Sequence, residues 1–432
     1  MRILCTGDLH LGRASTKITN LDQRTLSCSA AWDRIVRLAL DDDERVDVVC
    51  LSGDLVDRQN RLYEGYGALR DGIRRLAEHN VRVFAVAGNH DYDVLPRIAS
   101  ELDPECFKLI GAGGEWEEVC IYVDGKPALR LVGWSYPSGE VKENPLRCFP
   151  SLSSTETPTI AILHADAGTS ASVYAPVPLD DLRAQPVDMW LLGHIHLSND
   201  YPSDNRPMIL NPGSPQAMHP EEPGMHGPWI IELSNGRLSR PIQVPISSVT
   251  YCVVPVDVSR CETALECQNR ASEALEVELD MVTGDALRVI SCRVRLEGET
   301  DAHGDLDGVV EALREQPFRR GDVQLDIERI DIATTPIIDL LALAKCADAM
   351  GTLARVLISI DNGTVRESYP ELLESVAAKV REVHSTKVYM QIRDSATGSS
   401  EDCVPDDDLV ISLLKQECRN LLAALRSEEV AR

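Results

Sequence analysis

Asp8 with His10, Asp54, Asn89 with His90, His164, and His194 with His196 are the residues of this sequence whose types could do chemistry together. Imidazole nitrogens, carboxylate oxygens and an amide oxygen form a donor set suited to borderline and harder divalent ions, notably manganese, iron and zinc. Thiolates are missing from it, which speaks against a structural zinc site. Two such ions about 3.5 to 4 Å apart share a water, lower its pKa and aim it in line at phosphorus while neutralising the phosphate oxygens. Hydrolysis of a phosphate ester follows from that arrangement. Neither a Gly-x-Ser-x-Gly elbow nor a Gly-x4-Gly-Lys-Ser/Thr phosphate loop is present to argue for another chemistry.

Each fragment alone has a plain alternative. A Gly-Asp after a strand is ordinarily a polar turn, and a single buried histidine is ordinarily a hydrogen-bonded core residue. Their recurrence decides the matter. Residues 3–6, 46–51, 81–86, 159–163 and 187–192 all read as buried strands, and each runs directly into one of these groups. Residues two apart share a face in extended backbone, so Asp8 with His10 and His194 with His196 are expected to project as pairs. The turn at Gly53 presents Asp54, the candidate for a carboxylate shared by two ions. Asn89 offers a neutral oxygen ligand, and His90 is a positioned acid or phosphate-binding group. Asp57 and Asp91 stand beside these turns as supporting carboxylates.

The elements that must deliver these side chains alternate strand and helix, which predicts a layered α/β domain. Helical periodicity covers residues 30–40, with Trp32, Ile35 and Val36 to bury, and residues 61–79, with Leu69, Ile73 and Leu76 recurring. Short strands separated by glycines follow over 107–132, then a surface loop over 135–158. Asn211-Pro212-Gly213-Ser214 reads as a tight turn beside the last histidine loop. Residues 229–233 and 238–244 read as a closing hairpin around Asn235-Gly236. His219 and His226 read as ordinary loop histidines.

Beyond Pro245 the ligand vocabulary stops. Strands over 249–258, 287–296 and 323–330 with helices over 262–275 and 306–315 predict a small α+β domain suited to positioning rather than chemistry. Helices are expected over 337–349, 369–383 and 407–427, with residues 397–406 as a flexible tether. The expected domains are therefore 1–245, 246–335 and 336–432.

Composition narrows the class. A chain of 432 residues exceeds one ordinary core. With 43 basic against 69 acidic residues its net charge is −26, which argues against a sequence-independent coat for nucleic acid. It leaves nucleic acid open as a substrate, since metal ions supply positive charge locally. Thirteen cysteines without a Cys-x-x-Cys pair support reduced thiols in a cytoplasmic protein. The start is too short for a signal peptide, and no apolar run approaches the roughly 20 residues that span a bilayer.

The ordered set Asp8-x-His10, Gly53-Asp54-x-x-Asp57, Gly88-Asn89-His90-Asp91, His164 and Gly193-His194-x-His196 resembles the calcineurin-like metallophosphoesterase superfamily over about the first 245 residues. Asp8-Leu9-His10-Leu11-Gly12, the stretch from Tyr174-Ala175-Pro176 to Leu182-Arg183, and Asn211-Pro212-Gly213-Ser214-Pro215 are similar to its SbcD-type DNA repair exonuclease branch. The resemblance implies a four-layer β-sandwich flanked by helices, followed by the α+β cap domain and a helical C-terminal region. It implies that Asp8, His10, Asp54 and His196 bind one ion, that Asp54, Asn89, His164 and His194 bind the other, and that manganese is the activating metal. His90 would contact the scissile phosphate and assist the leaving oxygen. It also implies a dimeric exonuclease, with endonuclease action beside it, acting on DNA ends with an SbcC-type coiled-coil ABC ATPase docked on the C-terminal helices. DNA contact is expected at Arg13, Lys17 and Arg24 after the first ligand loop, and at Arg58 and Arg61 beside the second. The alternatives are a phosphoesterase for nucleotides or phosphoproteins, and a non-catalytic scaffold subunit.

Overall fold

Side chains alternate across the strands that open the chain. The computed structural model describes residues 1–18, 22–42, 45–59, 64–152, 157–201, 207–282, 284–337, 339–384 and 406–430. In β1 (Arg2–Thr6), β2 (Val48–Leu51) and β3 (Arg82–Ala85), Leu4, Val49, Leu51, Val83 and Ala85 enter one apolar layer, while Ile3, Cys5, Val48, Cys50 and Phe84 enter another. These strands and β4 (Phe107–Leu109) are parallel neighbours. The first layer is filled by α1 (Cys28–Ala39), α2 (Glu64–Glu78) and α3 (Leu95–Glu101), through Trp32, Ile35, Leu69, Ile73 and Ile98. Ser27 starts α1 by accepting from the Ala30 N–H at 3.1 Å, a side-chain cap that satisfies one of the open donors of the first turn.

A second sheet follows, in the order β5 (Glu117–Val123), β6 (Lys126–Trp134), β7 (Thr159–His164), β8 (Met189–Gly193), β9 (Met208–Leu210). β5 is antiparallel to β6 and the remaining pairs are parallel. Ile160, Ile162, Met189 and Leu191 pack against Ile3, Cys5, Val48 and Cys50 of the first sheet. Ala161, Leu163, Trp190 and Leu192 point the other way, under Tyr136, Leu146 and Leu182, the last from the short helix α4 (Leu179–Arg183). The α/β sandwich expected from the sequence is therefore present, with helices on one outer face and loops plus α4 on the other.

The chain then returns to the first sheet. β10 (Trp229–Ser234) runs antiparallel to β1, and Asn235 and Gly236, at φ 50° and 70°, turn it into β11 (Arg237–Leu238). Two successive left-handed residues give the turn whose twist suits a hairpin. β12 (Ile242–Gln243) also pairs with β10.

A four-stranded sheet comes next, in the order β13 (Val249–Asp257), β14 (Val289–Thr300), β16 (Val323–Pro336), β15 (Phe318–Arg320), with α5 (Ala264–Met281) and α6 (Leu306–Glu315) between strands. The C-terminal region is helical: α7 (Leu340–Leu343), α8 (Ala349–Asp361), α9 (Val365–Ser368), α10 (Pro370–His384) and α11 (Asp407–Val430). The one helix expected over 337–349 is broken, because the Asp348 carboxylate accepts from the Gly351 N–H at 2.8 Å and starts α8 afresh. Val356 and Leu357 of α8 share a cluster with Leu414, Cys418 and Leu422 of α11. Residues 397–405 of the expected tether lie outside the described residues.

By compactness the chain forms two units, one of Met1–Val256, Arg270–Arg295 and Val310–Asp331, the other of Asp257–Asn269, Leu296–Val309 and Ile332–Arg432. Among the described residues no helix is long and apolar enough to cross a membrane.

Candidate metal centre

Parallel strands bring their carboxyl ends to one edge, and the residues that follow β1, β2, β3, β7 and β8 meet there. They do not meet by extended backbone. Asp8, His10, Asp54 and His194 have φ of 47°, 44°, 51° and 97°, so the pairing of Asp8 with His10 and of His194 with His196 works through left-handed turns instead of a shared strand face. For residues with a Cβ such conformations cost about 1–3 kcal/mol each and persist only where the surroundings hold them. Here they are held. Asp8 N–H donates to Gly53 O at 2.9 Å and His10 N–H to Asp54 O at 3.0 Å, which zips the first two loops together. The buried Asp91 carboxylate accepts from Gly88 N–H (2.8 Å), Leu55 N–H (2.6 Å) and Val56 N–H (3.4 Å), which ties the second loop to the third. His90 N–H donates to Asp54 Oδ1 at 2.8 Å. A Cβ on Gly88 would stand 2.2 Å from that same Oδ1, and one on Gly193 would stand 2.3 Å from Ser52 O, so both glycines are required by close approach.

Three groups of ligand atoms each gather within 4.8 Å: Asp8, His10 and His196; Asp8, Asp54 and His164; and His10, Asp57 and His90. His10 Nε2 lies 3.0 Å from His196 Nε2, and His164 Nε2 lies 3.1 Å from Asn89 Oδ1 and 3.4 Å from Asp54 Oδ2. Asp54 Oδ2 is also 3.9 Å from His10 Nε2 and 4.0 Å from His90 Nε2, so Asp54 and Asp8 both reach across the two ligand sets. The His194 N–H donates to both oxygens of Asp8 at 3.1 Å, while its ring lies against His164 and Tyr174 at 5.4 and 5.1 Å between centroids.

These donors fit divalent cations because lone pairs converge on lone pairs. His164 Nδ1 lies 3.0 Å from Ser52 O and His196 Nδ1 lies 2.8 Å from Glu222 Oε1, so those nitrogens carry the ring protons and the opposite Nε2 atoms present lone pairs to the site. Charge tells the same story. Burial pulls the His164 imidazole down, but Asp54 and Asp8 outweigh it and lift it to about 9. Burial likewise opposes a charged His196, and Glu222 with Asp8 raises it nonetheless. His90 is raised by its hydrogen bond to Asp57 against burial. Burial drives His194 down to about 3, helped by the neighbouring His164. Burial works to raise Asp54 and Asp57, yet the surrounding histidines hold both well below the usual carboxylate range. Burial and the Asp54 charge lift Asp91 to about 7. A pocket that raises His90, His164 and His196 against their burial is one whose carboxylates call for positive charge. Asp8, His10, Asp54 and His196 would hold one ion, and Asp54, Asn89 and His164, with the His194 ring beside them, the other. Bound there, a divalent pair supplies an activated water and neutralises phosphate oxygens.

The remaining residues singled out in the sequence are placed as follows. Asp57 stands 3.6 Å from His10 Nδ1 and 3.5 Å from His90 Nδ1, and Asp91 joins the second and third loops through their backbone N–H groups. Arg13 and Arg58 are exposed at the rim: Arg13 N–H donates to His10 O at 3.0 Å and Arg58 N–H lies 3.4 Å from His90 Nδ1. Lys17 lines a groove of about 570 Å³ together with Pro317, Phe318 and Glu328. Arg24 precedes α1, its carbonyl accepting from the Ser27 hydroxyl at 2.8 Å, and Arg61 lies outside the described residues.

Three participants carry no signal in the sequence. Glu222 is separated from His196 by 26 residues and no spacing marks it. Tyr136 sets its ring edge against His164 at 5.6 Å, its buried hydroxyl without a hydrogen-bond partner among the described residues. His226, expected to be an ordinary loop histidine, is buried, with Nδ1 2.7 Å from Ser214 O and Nε2 3.1 Å from Glu222 O. The Asn211 turn does hold the histidine loop: its Nδ2 donates to Ile195 O at 2.6 Å and Leu197 O at 2.9 Å.

Comparison with known proteins agrees with this construction. Residues 1–198 match the family described as calcineurin-like phosphoesterase, and residues 251–335 match the middle domain of metallophosphoesterase YhaO. The chain is 27% identical over 294 residues to the uncharacterized metallophosphoesterase YhaO of Bacillus subtilis, covering 63% of this chain and 66% of that protein. It is 26% identical over 285 residues to the DNA double-strand break repair protein Mre11 of Sulfolobus acidocaldarius, covering 62% and 69%. The chain thus spans just under two thirds of the first relative's length. A dimetal phosphatase of Danio rerio is 14% identical with a TM-score of 0.37, over 57% of this chain and 98% of the other, a likeness too slight to carry an argument. The first 198 residues of the chain, which carry most of the candidate metal ligands, are thus similar to the calcineurin-like phosphoesterase family.

Proposed function

We propose that this metallophosphoesterase is a DNA nuclease, hydrolysing phosphodiesters at DNA ends in double-strand-break repair as an exonuclease with accompanying endonuclease action. The observation that carries the proposal is the placement of Arg13 and Arg58. In a chain of net charge −26, two exposed guanidinium residues stand at the rim of the carboxylate bed, Arg13 donating its backbone N–H to His10 O and Arg58 placing its own 3.4 Å from the His90 ring. Exposed cations beside such a site suit a polyanion that extends past the scissile phosphate. The similarity to an archaeal Mre11 over 285 residues, well beyond the phosphoesterase match, supports the same reading.

In this account His90 is the residue that meets the reacting phosphate. Its side chain is partly exposed, and with Asp57 Oδ1 3.5 Å from Nδ1 the protonated ring has an Nε2–H to donate to a phosphate or leaving oxygen. Manganese is the expected metal. The cytoplasm is the expected compartment, in keeping with the many free cysteines. The same proposal includes a homodimer and an SbcC-type coiled-coil ATPase docked on the C-terminal helices, where Leu409, Leu413 and Leu421 of α11 are exposed.

The test compares manganese-dependent degradation of linear duplex and single-stranded DNA with hydrolysis of bis-p-nitrophenyl phosphate. Degradation of DNA by the wild type, abolished in His90→Gln, is the expected result. Hydrolysis of the small ester with intact DNA would assign the site to nucleotides or phosphoproteins, and inertness toward both, with metal bound, would make the chain a scaffold.

A further inference from the structure

Glu222 takes no part in the reaction described above, yet it makes the closest contact to any imidazole of the bed. Its Oε1 stands 2.8 Å from His196 Nδ1, and its Oε2 accepts from the Met218 N–H at 2.8 Å. With both oxygens engaged the carboxylate cannot swing away. Its own backbone is anchored as well: Glu222 N–H donates to His219 O at 2.8 Å, and Glu222 O lies 3.1 Å from Nε2 of the buried His226. Met218 O in turn accepts from the N–H and hydroxyl of Thr16, both at 2.9 Å, which joins this support to the loop that follows His10.

We infer that Glu222 is the positioning residue for the ion held by Asp8, His10 and His196. A carboxylate only accepts, so the proton of the neutral His196 ring sits on Nδ1 and the Nε2 lone pair is aimed at the site. The Ser214 N–H fixes the His196 carbonyl at 2.9 Å, so backbone and ring are both held. The other imidazole of this ligand set lacks such support: His10 Nδ1 is buried without a hydrogen-bond partner among the described residues, its nearest carboxylate oxygen being Asp57 Oδ1 at 3.6 Å. Orientation at this ion therefore depends on Glu222, while the ligand set of the second ion takes its orientation from Ser52 O behind His164.

The inference rests on the two-ion reading, and one titration separates the two. Manganese chloride is titrated calorimetrically into the metal-stripped full-length wild type, Glu222→Gln, Glu222→Ala and the neighbouring exposed-residue control Glu221→Ala, and the unfolding midpoint of each metal-free protein is recorded. Wild type and Glu221→Ala are expected to bind two ions. Glu222→Ala is expected to weaken one of them by about 10–100-fold and leave the other unchanged, the range typical when an outer carboxylate is removed. Glu222→Gln, whose amide oxygen still accepts from Nδ1–H, falls between, and it carries the test if the alanine variant does not fold. Two ions bound by the glutamine and alanine variants as tightly as by wild type would overturn the inference alone. Equal weakening of both ions with a lowered midpoint would overturn it too, making Glu222 a brace of the fold. Fewer than two ions in wild type would remove the two-ion reading and the inference with it.

Discussion

The sealed and open sides of the metal bed are built differently. On one side the Asp54 and His164 side chains are 3% and 0% exposed, backed by Ser52 O, Asp91 and the close-packed Gly88. On the other, His90 and His196 are 29% and 26% exposed, oriented by the carboxylates of Asp57 and Glu222, with Arg13 and Arg58 on the rim. The contrast assigns labour. A sealed, fully braced side fixes charge where water cannot screen it, so a cation placed there would be attracted strongly. An open side whose histidines are aimed by outer carboxylates leaves room for a phosphate to enter. Strain follows the same logic: Asp8, His10, Asp54 and His194 keep left-handed backbones because loop-to-loop hydrogen bonds hold them.

The sharpest way to break this contrast is on the sealed side. Asp54→Asn removes the carboxylate within reach of both ligand sets and is expected to lower manganese-dependent hydrolysis of bis-p-nitrophenyl phosphate by more than about 10³-fold, the upper range for removal of a key charge-stabilising group. Full activity in this variant would show that the buried carboxylate is not shared.

On the open side the expected effect is smaller and has a direction in pH. Asp57 raises His90 by hydrogen bonding, so the proton on His90 persists to higher pH than in a free imidazole. Asp57→Asn lets that proton go at lower pH. The alkaline limb of the kcat profile should therefore shift downward, with a fall at neutral pH of about tenfold, below the 10²–10⁴ range for removing a general acid outright. An unchanged limb would detach His90 from proton donation.

The smallest effects belong to the rim. Arg13→Ala and Arg58→Ala should each weaken binding to duplex DNA a few-fold and reduce the slope of log affinity against log salt by about one unit for each phosphate no longer neutralised, while hydrolysis of the small ester stays near wild type. Unaltered DNA affinity and salt slope would take both residues out of the DNA path.

Much of the sealed side is legible in the sequence because its parts are local. A buried strand, then a glycine, then a carboxylate, amide or imidazole is a pattern confined to a few residues, and variants of it recur at Asp8, Asp54, Asn89, His164 and His194. The layering is legible for the same reason, since a short, mostly apolar run such as residues 46–51 or 159–163 marks a buried strand from its own residues alone. The means of presentation is not. Extended geometry is the natural expectation for Asp8 and His10, and only the backbone bonds to Gly53 and Asp54 make the left-handed turns intelligible. Glu222 is invisible in the sequence because one of two adjacent glutamates in a Pro-rich loop acquires meaning only by meeting His196 in space. The helix expected over 337–349 fails at Asp348, where the capping carboxylate wins over the apolar run before it.

Diffraction data collected at the manganese absorption edge from crystals soaked in manganese chloride test the central claim most directly. Two anomalous peaks about 3.5–4 Å apart, with the Asp54 carboxylate between them and His164 and His196 on opposite flanks, are the predicted outcome. A single peak, or a pair of which only one touches Asp54, would contradict it.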